Sequence, residues 1–357
     1  MHRLLALLLL AFVAHGQPLR VAIAGMVHGH VEGFLPALKS HPDAHLVGVY
    51  EPDTALAKSY AERYGLPAGI FYTDLATMLE KTRPEAVAAF TSTLDHPQVV
   101  EICAAHHVHV MMEKPLAVDM DGARRIQAAA ESGHIRVMVN YETTWYPSHA
   151  AMWDLVKTQH AYGDIRKMVA MDGHPGPKEI GVGPAFLGWL TDPVQNGAGA
   201  LFDFGCYGAN LMTWIMDNQR PIAVTAVTRQ FKPQIYPRVD DEATVLLEYP
   251  RAQGIIQASW NWPIGRKDFE VYGERGYAIA TGGQTLRTRV QGSPEEIRTP
   301  PPLPASESDP IGYLAAVVQG REPAGRSSLE NNVIVTEILA AAREFAKTGK
   351  RVRLPLQ

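Results

Sequence analysis

Cysteine is almost missing from this chain: 357 residues hold only Cys103 and Cys206. That argues against a disulfide framework, and no C-x-x-C pair exists to hold zinc. An excess of basic charge is missing too. Lys and Arg number 33 against 37 Asp and Glu, a formal net charge of −4. Nothing here favours nucleic acid or an anionic membrane surface as a partner. The 14 histidines include the neighbours His28/His30 and His106/His107/His109, but H-E-x-x-H spacing is absent. They read as free or core histidines, and no metal site is expected. No internal repeat is visible. What remains is 46% apolar and 20% charged residues, ordinary for a soluble globular protein of a length that suggests two domains.

The first sixteen residues, MHRLLALLLLAFVAHG, stand apart. Arg3, an apolar run from Leu4 to Ala14, and the small residues Ala14 and Gly16 have the order of a Sec-type signal peptide. The run is too short to span a bilayer comfortably. Export to the periplasm or medium is expected, with no membrane insertion after processing. A buried N-terminal strand or helix is the alternative.

From residue 19 to about 140 short apolar runs alternate with helical periods, the pattern of a parallel sheet with right-handed crossovers. Strands are expected at 21–24, 45–50, 86–90, 109–112 and 136–140. Helices are expected at 31–40, 54–64, 75–81, 96–106 and 119–132. After Pro147 the rhythm changes. A helix is expected over roughly 148–160, then strands at 165–172, 222–231, 241–249, 253–261, 267–272 and 276–281, with a strong helix near 205–216. Successive strands with few helices between them predict an open, largely antiparallel sheet. The Pro-rich stretch 292–309 reads as a surface loop, followed by helices at 310–319 and 327–348. The fold class is therefore α/β: a Rossmann dinucleotide-binding domain over 17–145, after the leader at 1–16, and an α/β domain with the open sheet over 146–357.

Four stretches carry chemistry. GMVHGHVEG (25–33) follows a buried strand and opens a helix, as a dinucleotide cradle does. A G-x-G-x-x-G would place glycines at 25, 27 and 30, where this chain has Gly25, Val27 and His30. Glu51 ends the second strand, 26 residues after Gly25. A carboxylate there can accept both ribose hydroxyls of an adenosine and would repel a 2′-phosphate, so NAD is favoured over NADP. A solvated acid in a turn is the equal alternative. TSTLDHP (91–97) follows the third predicted strand. Thr91 and Thr93 can reach a ribose or phosphate, while Asp95 and Pro97 suit a capped helix start. The two readings are compatible. Glu113-Lys114-Pro115 closes the next strand and would set a cation in the crevice; by itself the pair reads as a surface salt bridge.

EKPLA after a buried strand, with T-x-T-x-x-H upstream ending at His96, resembles the glucose-fructose oxidoreductase / inositol dehydrogenase / rhizopine-catabolism family (Gfo/Idh/MocA). The likeness runs over nearly the whole chain after the leader. Asn140 closes the fifth strand in a segment similar to the family's next one. GAGALFDFGCYGAN (197–210) resembles the family's G-G-G-x-x-x-D-x-G-x-H/Y pattern, with Asp203 at the aspartate and Tyr207 at the catalytic position. Many members have histidine there; glucose-fructose oxidoreductase and dihydrodiol dehydrogenase relatives have tyrosine.

The resemblance implies that Lys114 contacts nicotinamide ribose and substrate hydroxyl. It also implies a cradle of altered geometry at Gly25, Val27, His28, Gly29 and His30, lined further by Glu51, Thr91, Thr93, His96, Glu113 and Asn140. Asp203 and Tyr207, four apart, are expected on one helix face. Lys114 is expected to lower the phenol's pKa and make Tyr207 a proton acceptor. Tyr141, Glu142, Trp145, His174, Trp189 and Asn196 are expected to rim the crevice. The implied function is NAD(P)-dependent oxidation or reduction of a secondary alcohol in a sugar or sugar derivative. The implied partners are that small molecule and, through the C-terminal sheet, further copies of the chain. An NAD-dependent glycoside hydrolase with recycled cofactor is the main alternative, and a non-catalytic cofactor- or sugar-binding protein the second.

Overall fold

A computed structural model describes residues 17–321 and 325–356, so the expected leader lies outside the described residues. The first sheet contains β1 (Leu19–Ala24), β2 (Ala44–Tyr50), β3 (Phe71–Tyr72), β4 (Ala86–Ala89), β5 (His109–Glu113) and β6 (Val137–Asn140), in the order β3-β2-β1-β4-β5-β6. Its strand pairs are parallel. Helices α1 (Val31–Ser40), α2 (Thr54–Tyr64), α3 (Leu75–Thr82), α4 (His96–Ala105) and α5 (Met120–Gly133) make the crossovers. Asp53, Asp74 and Asp119 accept amide hydrogens at the starts of α2, α3 and α5, fixing where each helix begins. Asp95 departs from expectation. It makes no capping bond and instead accepts the Ser92 hydroxyl at 2.6 Å.

The strand order reverses between β1 and β4, and ligands of such sheets bind at that switch point, outside the carboxyl ends. Three loops meet there: the glycine turn after β1, residues 91–95 after β4, and residues 114–118 after β5. Gly25 is obligatory in this arrangement. Its φ is +78°, and a Cβ would lie 2.6 Å from Thr91 Cγ2.

The second part starts with α6 (Pro147–Trp153), which passes into a single π-turn over Asp154–Thr158 where one helix to 160 was expected. β7 (Ile165–Gly173) is followed by four helices: α7 (Pro184–Leu190), α8 (Pro193–Asn196), α9 (Ala200–Asp203) and α10 (Gly205–Ile215). Then come β8 (Ala223–Arg229), β9 (Glu242–Glu248), β10 (Gln253–Ser259), β11 (Arg266–Gly273), β12 (Gly276–Thr281), β13 (Thr285–Val290) and β14 (Glu296–Arg298). Helices α11 (Pro310–Val318) and α12 (Leu329–Thr348) and strand β15 (Val352–Arg353) end the chain.

The sheet order is β14-β13-β12-β11-β7-β10-β9-β8-β15, antiparallel except where β10 runs parallel to β7. The stretch expected to be loop over 292–309 supplies β14, an edge strand on β13. Proline content hid it, because only three residues pair. Helix α11 crosses back: Ile311, Leu314 and Val317 join the core of Leu19, Val21 and Ile23 under the first sheet. A second core runs without a break from that sheet into the other one, which fixes the two walls of the crevice against each other. Among the described residues, no helix is long and apolar enough to cross a membrane.

Candidate active site

Lys114, released from β5 into the crevice, is 5% exposed and donates from Nζ to the Asp203 carbonyl at 3.0 Å and to its Oδ1. The other carboxylate oxygen, Oδ2, accepts Trp260 Nε1 at 2.9 Å. Burial alone would raise the Asp203 pKa, but Lys114, His174 and Trp260 overcome it and hold the carboxyl at about 2. Burial likewise opposes the charge on Lys114, and Asp203 reverses that and raises its pKa. The pair is a fully ionised bridge between the two walls.

Asp203 ends α9 and Tyr207 lies in the first turn of α10, so the expected shared helix face spans a junction at Phe204. The Tyr207 ring is 2% exposed, and two ammonium groups flank it: Lys114 Nζ at 5.3 Å from its centroid and Lys267 Nζ at 5.0 Å. Lys267 comes from β11 and pairs with Glu142. Sequence reasoning missed it, since a lysine on a strand carries no motif.

The expectation that Lys114 lowers the phenol's pKa is overturned. Burial pushes Tyr207 well above the usual phenol range, and the negative Glu142 adds to it. Each nearby lysine is already matched by a carboxylate, so little net positive field reaches the hydroxyl. Tyr207 is a neutral phenol here, suited to donating a hydrogen bond and passing a proton on.

His174 lines the same cavity of about 590 Å³ as Lys114, Asp203, Tyr207 and Lys267. Burial lowers its pKa, so the ring is neutral near pH 7. Its Nδ1 accepts the Gly176 amide at 2.9 Å, which leaves the ring proton on Nε2. His174 is therefore a donor rather than a base.

Asp172 was also missed. It faces Lys267 in the strand register, is 1% exposed, and neither carboxylate oxygen has a partner. Burial raises its pKa well above the carboxylate range, favouring the protonated form.

The glycine turn faces a different environment. Glu51 is 3% exposed, accepting the Met26 amide at 2.7 Å and the Asp53 amide at 2.9 Å. Phe186 of α7 packs on Gly29, where a Cβ would come within 2.8 Å of its ring. Trp189 donates Nε1 to the Val27 carbonyl at 3.3 Å. Thr91 hydrogen-bonds the Ser92 carbonyl, and Thr93 is fully buried 3.5 Å from Asn196 Oδ1. His96 gives Nδ1 to the Leu116 carbonyl at 3.1 Å, and its buried Nε2 has no partner.

Of the expected rim residues, Glu142 and Trp145 line a neighbouring cavity of about 730 Å³, together with His30, Glu113 and Asn140. Tyr141 is fully buried, with its hydroxyl on Asn332 Oδ1 at 2.9 Å, and Asn196 is spent on the carbonyls of Leu190 and Ala198. Those two and Trp189 are 4% exposed or less, so they pack the wall and do not rim it.

The residues present fit a dinucleotide at the switch point. Glu51 keeps lone pairs beyond the two used by amides, Gly29 and His30 border both cavities, and Lys114 stands at the far end. Phe186 and Trp189 cover the middle of the turn.

Comparison with known proteins now places the chain. Residues 19–141 match the model of an oxidoreductase family with an NAD-binding Rossmann fold, and residues 149–279 match the C-terminal domain model of the same Gfo/Idh/MocA group. The chain belongs to that family, and it is an NAD-binding oxidoreductase. It is 28% identical over 277 residues to trans-1,2-dihydrobenzene-1,2-diol dehydrogenase of Sus scrofa, covering 75% of each chain. It is 30% identical over 251 residues to the Oryctolagus cuniculus enzyme of the same name, covering 69% of each. Among solved structures, an inositol dehydrogenase homolog from Azotobacter vinelandii complexed with NAD+ superposes with a TM-score of 0.81 at 18% identity, covering 95% of this chain and 98% of that one. Aldose-aldose oxidoreductase from Caulobacter crescentus, complexed with glycerol, gives 0.79 at 22% identity, covering 94% and 100%. Both structures show the shared fold.

Proposed function

We propose that this protein interconverts a secondary alcohol and a ketone on a sugar, sugar derivative or related vicinal diol, using NAD. The observation that carries this reading is the convergence of Lys114, Asp203 and Tyr207 from both walls on one cavity. NAD, when bound, supplies the hydride acceptor or donor. Asp203 holds the Lys114 ammonium in the cleft, where it can donate to the reacting oxygen. The Tyr207 hydroxyl is the proton donor toward a carbonyl, and the phenolate so formed is reprotonated from solvent; in the other direction it must first release its own proton to solvent before it takes the alcohol's. Its raised pKa keeps the protonated form, the one that serves carbonyl reduction, the populated one in the free protein. His174 offers Nε2–H to a neighbouring hydroxyl. The diol dehydrogenase relatives support a substrate with adjacent oxygens, and the family supports a polyol or sugar.

We also propose export, on the pattern of residues 1–16, and self-association through the second sheet. Val227 on β8 and Ile297 on β14 are 52% and 67% exposed there.

The test is a panel of aldoses, inositols, cyclic trans-diols and aryl glycosides offered to the purified chain with NAD, following NADH and released aglycone together. NADH formation without aglycone release is expected. Aglycone release without net NADH would replace this reading with redox-neutral hydrolysis. Absence of either, in both reaction directions, would sink it.

A further inference from the structure

The turn after β1 and the end of β5 bring together three groups that take no part in the alcohol chemistry above. His28 and His30 come from the turn, and Glu113 from the strand. One ligand atom from each lies within 4.8 Å of the others. We propose that His28, His30 and Glu113 form a binding site for a divalent transition cation such as zinc or cobalt, with remaining coordination positions open to an oxygen ligand in the cleft. Binding of the ion is independent of whether the cleft oxidises alcohols.

The donor set decides the class of ion. Two imidazoles and one carboxylate suit zinc, cobalt, nickel or iron, whereas magnesium and calcium prefer oxygen ligands throughout. Three protein ligands leave at least one position free, as in catalytic rather than structural sites.

The geometry is close to ready. Around a tetrahedral ion with bonds of about 2.1 Å, ligand atoms lie about 3.4 Å apart. His30 Nδ1 and Glu113 Oε2 are already 2.9 Å apart. The remaining closure falls to His30, whose side chain is 43% exposed and has room to turn. His28 is 1% exposed and its Nε2 has no partner, an unpaid cost for a buried polar atom. Its Nδ1 accepts only the His30 amide, at 3.2 Å. Neither nitrogen is tied to another side chain.

An outer layer is also present. Asn140 Nδ2 donates to Glu113 Oε1 at 2.8 Å, and Trp145 Nε1 donates to Asn140 Oδ1 at 3.2 Å. A chain of this kind fixes a ligating carboxylate and leaves its second oxygen for the ion.

Two electrostatic features oppose a cation, and neither is decisive. The N-terminus of α1 carries about half a positive charge, against a full negative charge on Glu113. The adjacent Lys114 is neutralised by Asp203. Because His30 borders both cavities, an ion here would present its open positions to whatever occupies them. Adjacent oxygens, as in a diol, hydroxy-acid or pyrophosphate, are the chemistry such an ion chelates.

The experiment uses the chain without a histidine tag, stripped with chelator and titrated with Co2+ while its visible absorption and bound metal are followed, then competed with Zn2+. One Co2+ per chain with a visible ligand-field band is expected. His30→Ala and Glu113→Gln should bind about 100-fold more weakly or worse, exceeding the loss seen for outer-shell changes, while Lys114→Met retains the ion. His30→Ala decides the matter if Glu113→Gln fails to fold, since His30 is partly exposed. A wild-type chain that takes up no ion, or a folded His30→Ala that binds Co2+ as tightly as wild type with the same spectrum, would overturn the proposal.

Discussion

Two glutamates stand at the carboxyl edge of one sheet. Glu51 follows β2 and Glu113 closes β5, and they are 3% and 2% exposed. Their surroundings treat the same charge in opposite ways. Glu51 meets two backbone amides of its own loops, which only partly offset burial, and its pKa is raised. Burial would raise Glu113 too, but His30, His28 and Asn140 bring it down to about 2. The lesson is that sheet position delivers an acid to the crevice, and the side chains opposite decide what the acid does. At the β2 end the acid braces a turn by accepting two amides, one on each oxygen. At the β5 end it is held by His30 and Asn140, next in the chain to Lys114, which pairs with Asp203 and lies over the Tyr207 ring.

The contrast breaks most severely at Lys114. Lys114→Met leaves Asp203 buried without its cation, and removal of one partner from such a pair costs about 3–5 kcal/mol. Trp260 still donates to Asp203, so the lower part of that range is expected. Turnover should fall at least as far as in Tyr207→Phe. Thermal melts and initial rates measured together check both, and a variant as stable and as active as wild type would detach Lys114 from the network.

Tyr207→Phe comes next. The ring keeps its contacts with Tyr141 and Phe204, so melting temperature and NAD affinity should hardly move. Loss of the proton-transferring hydroxyl should lower turnover by about 10²–10⁴-fold. Because burial raises the phenol's pKa, the wild-type rate of ketone reduction should not decline through neutral pH on account of Tyr207. A reduction rate falling with an apparent pKa near 7, unchanged in Tyr207→Phe, would assign the proton to another group.

How far these two ends could be read from sequence differs for a physical reason. Alternating apolar runs marked β1, β4 and β5, because burial on both faces demands them. The EKP strand end and the resemblance of residues 197–210 pointed to Lys114, Asp203 and Tyr207, which line one cavity. Sequence pattern did not show which groups would be neutralised. Lys114 lost its influence on the phenol to Asp203, a partner 89 residues away. His28 and His30 meet Glu113 only because β1 and β5 flank β4 in the sheet. Lys267 and Asp172 oppose each other across β11 and β7 and carry no local signal. Tyr141 and Asn196 were expected at the rim because their segments would border the crevice in this architecture, but buried partners in α12 and around α8 claimed them. Pairings of this kind depend on long-range register, which periodicity does not encode.

The two glutamates provide the finest test, because the same substitution acts differently at each. In Glu113→Gln the new amide can donate to His30 Nδ1 while its carbonyl still accepts Asn140, so shape and hydrogen bonds survive and the charge is lost. With His30 partly exposed, about 1–3 kcal/mol of stability is expected to go at neutral pH. The sign follows from the depressed pKa: wild-type Glu113 contributes stability above about pH 4.3, and that contribution disappears as pH falls toward 2. The gap between wild type and Glu113→Gln should therefore narrow over that acid interval. Glu51→Gln is the smaller change. Its carbonyl can still take the Met26 amide, but its NH2 meets the Asp53 N–H donor to donor, costing about 1 kcal/mol. Because the Glu51 pKa is raised, wild-type Glu51 stabilises most below about pH 4.3 and less as pH climbs through its folded value. The gap should shrink with rising pH there, opposite to Glu113. Glu51→Gln should also reduce the preference for NAD over NADP by about tenfold, near 1.4 kcal/mol, by removing a charge that repels the 2′-phosphate. Denaturant melts across pH and calorimetry with both cofactors measure the two effects. If both variants narrow their gaps in the same direction, or if wild type binds NADP as tightly as NAD, the distinction between the two ends fails.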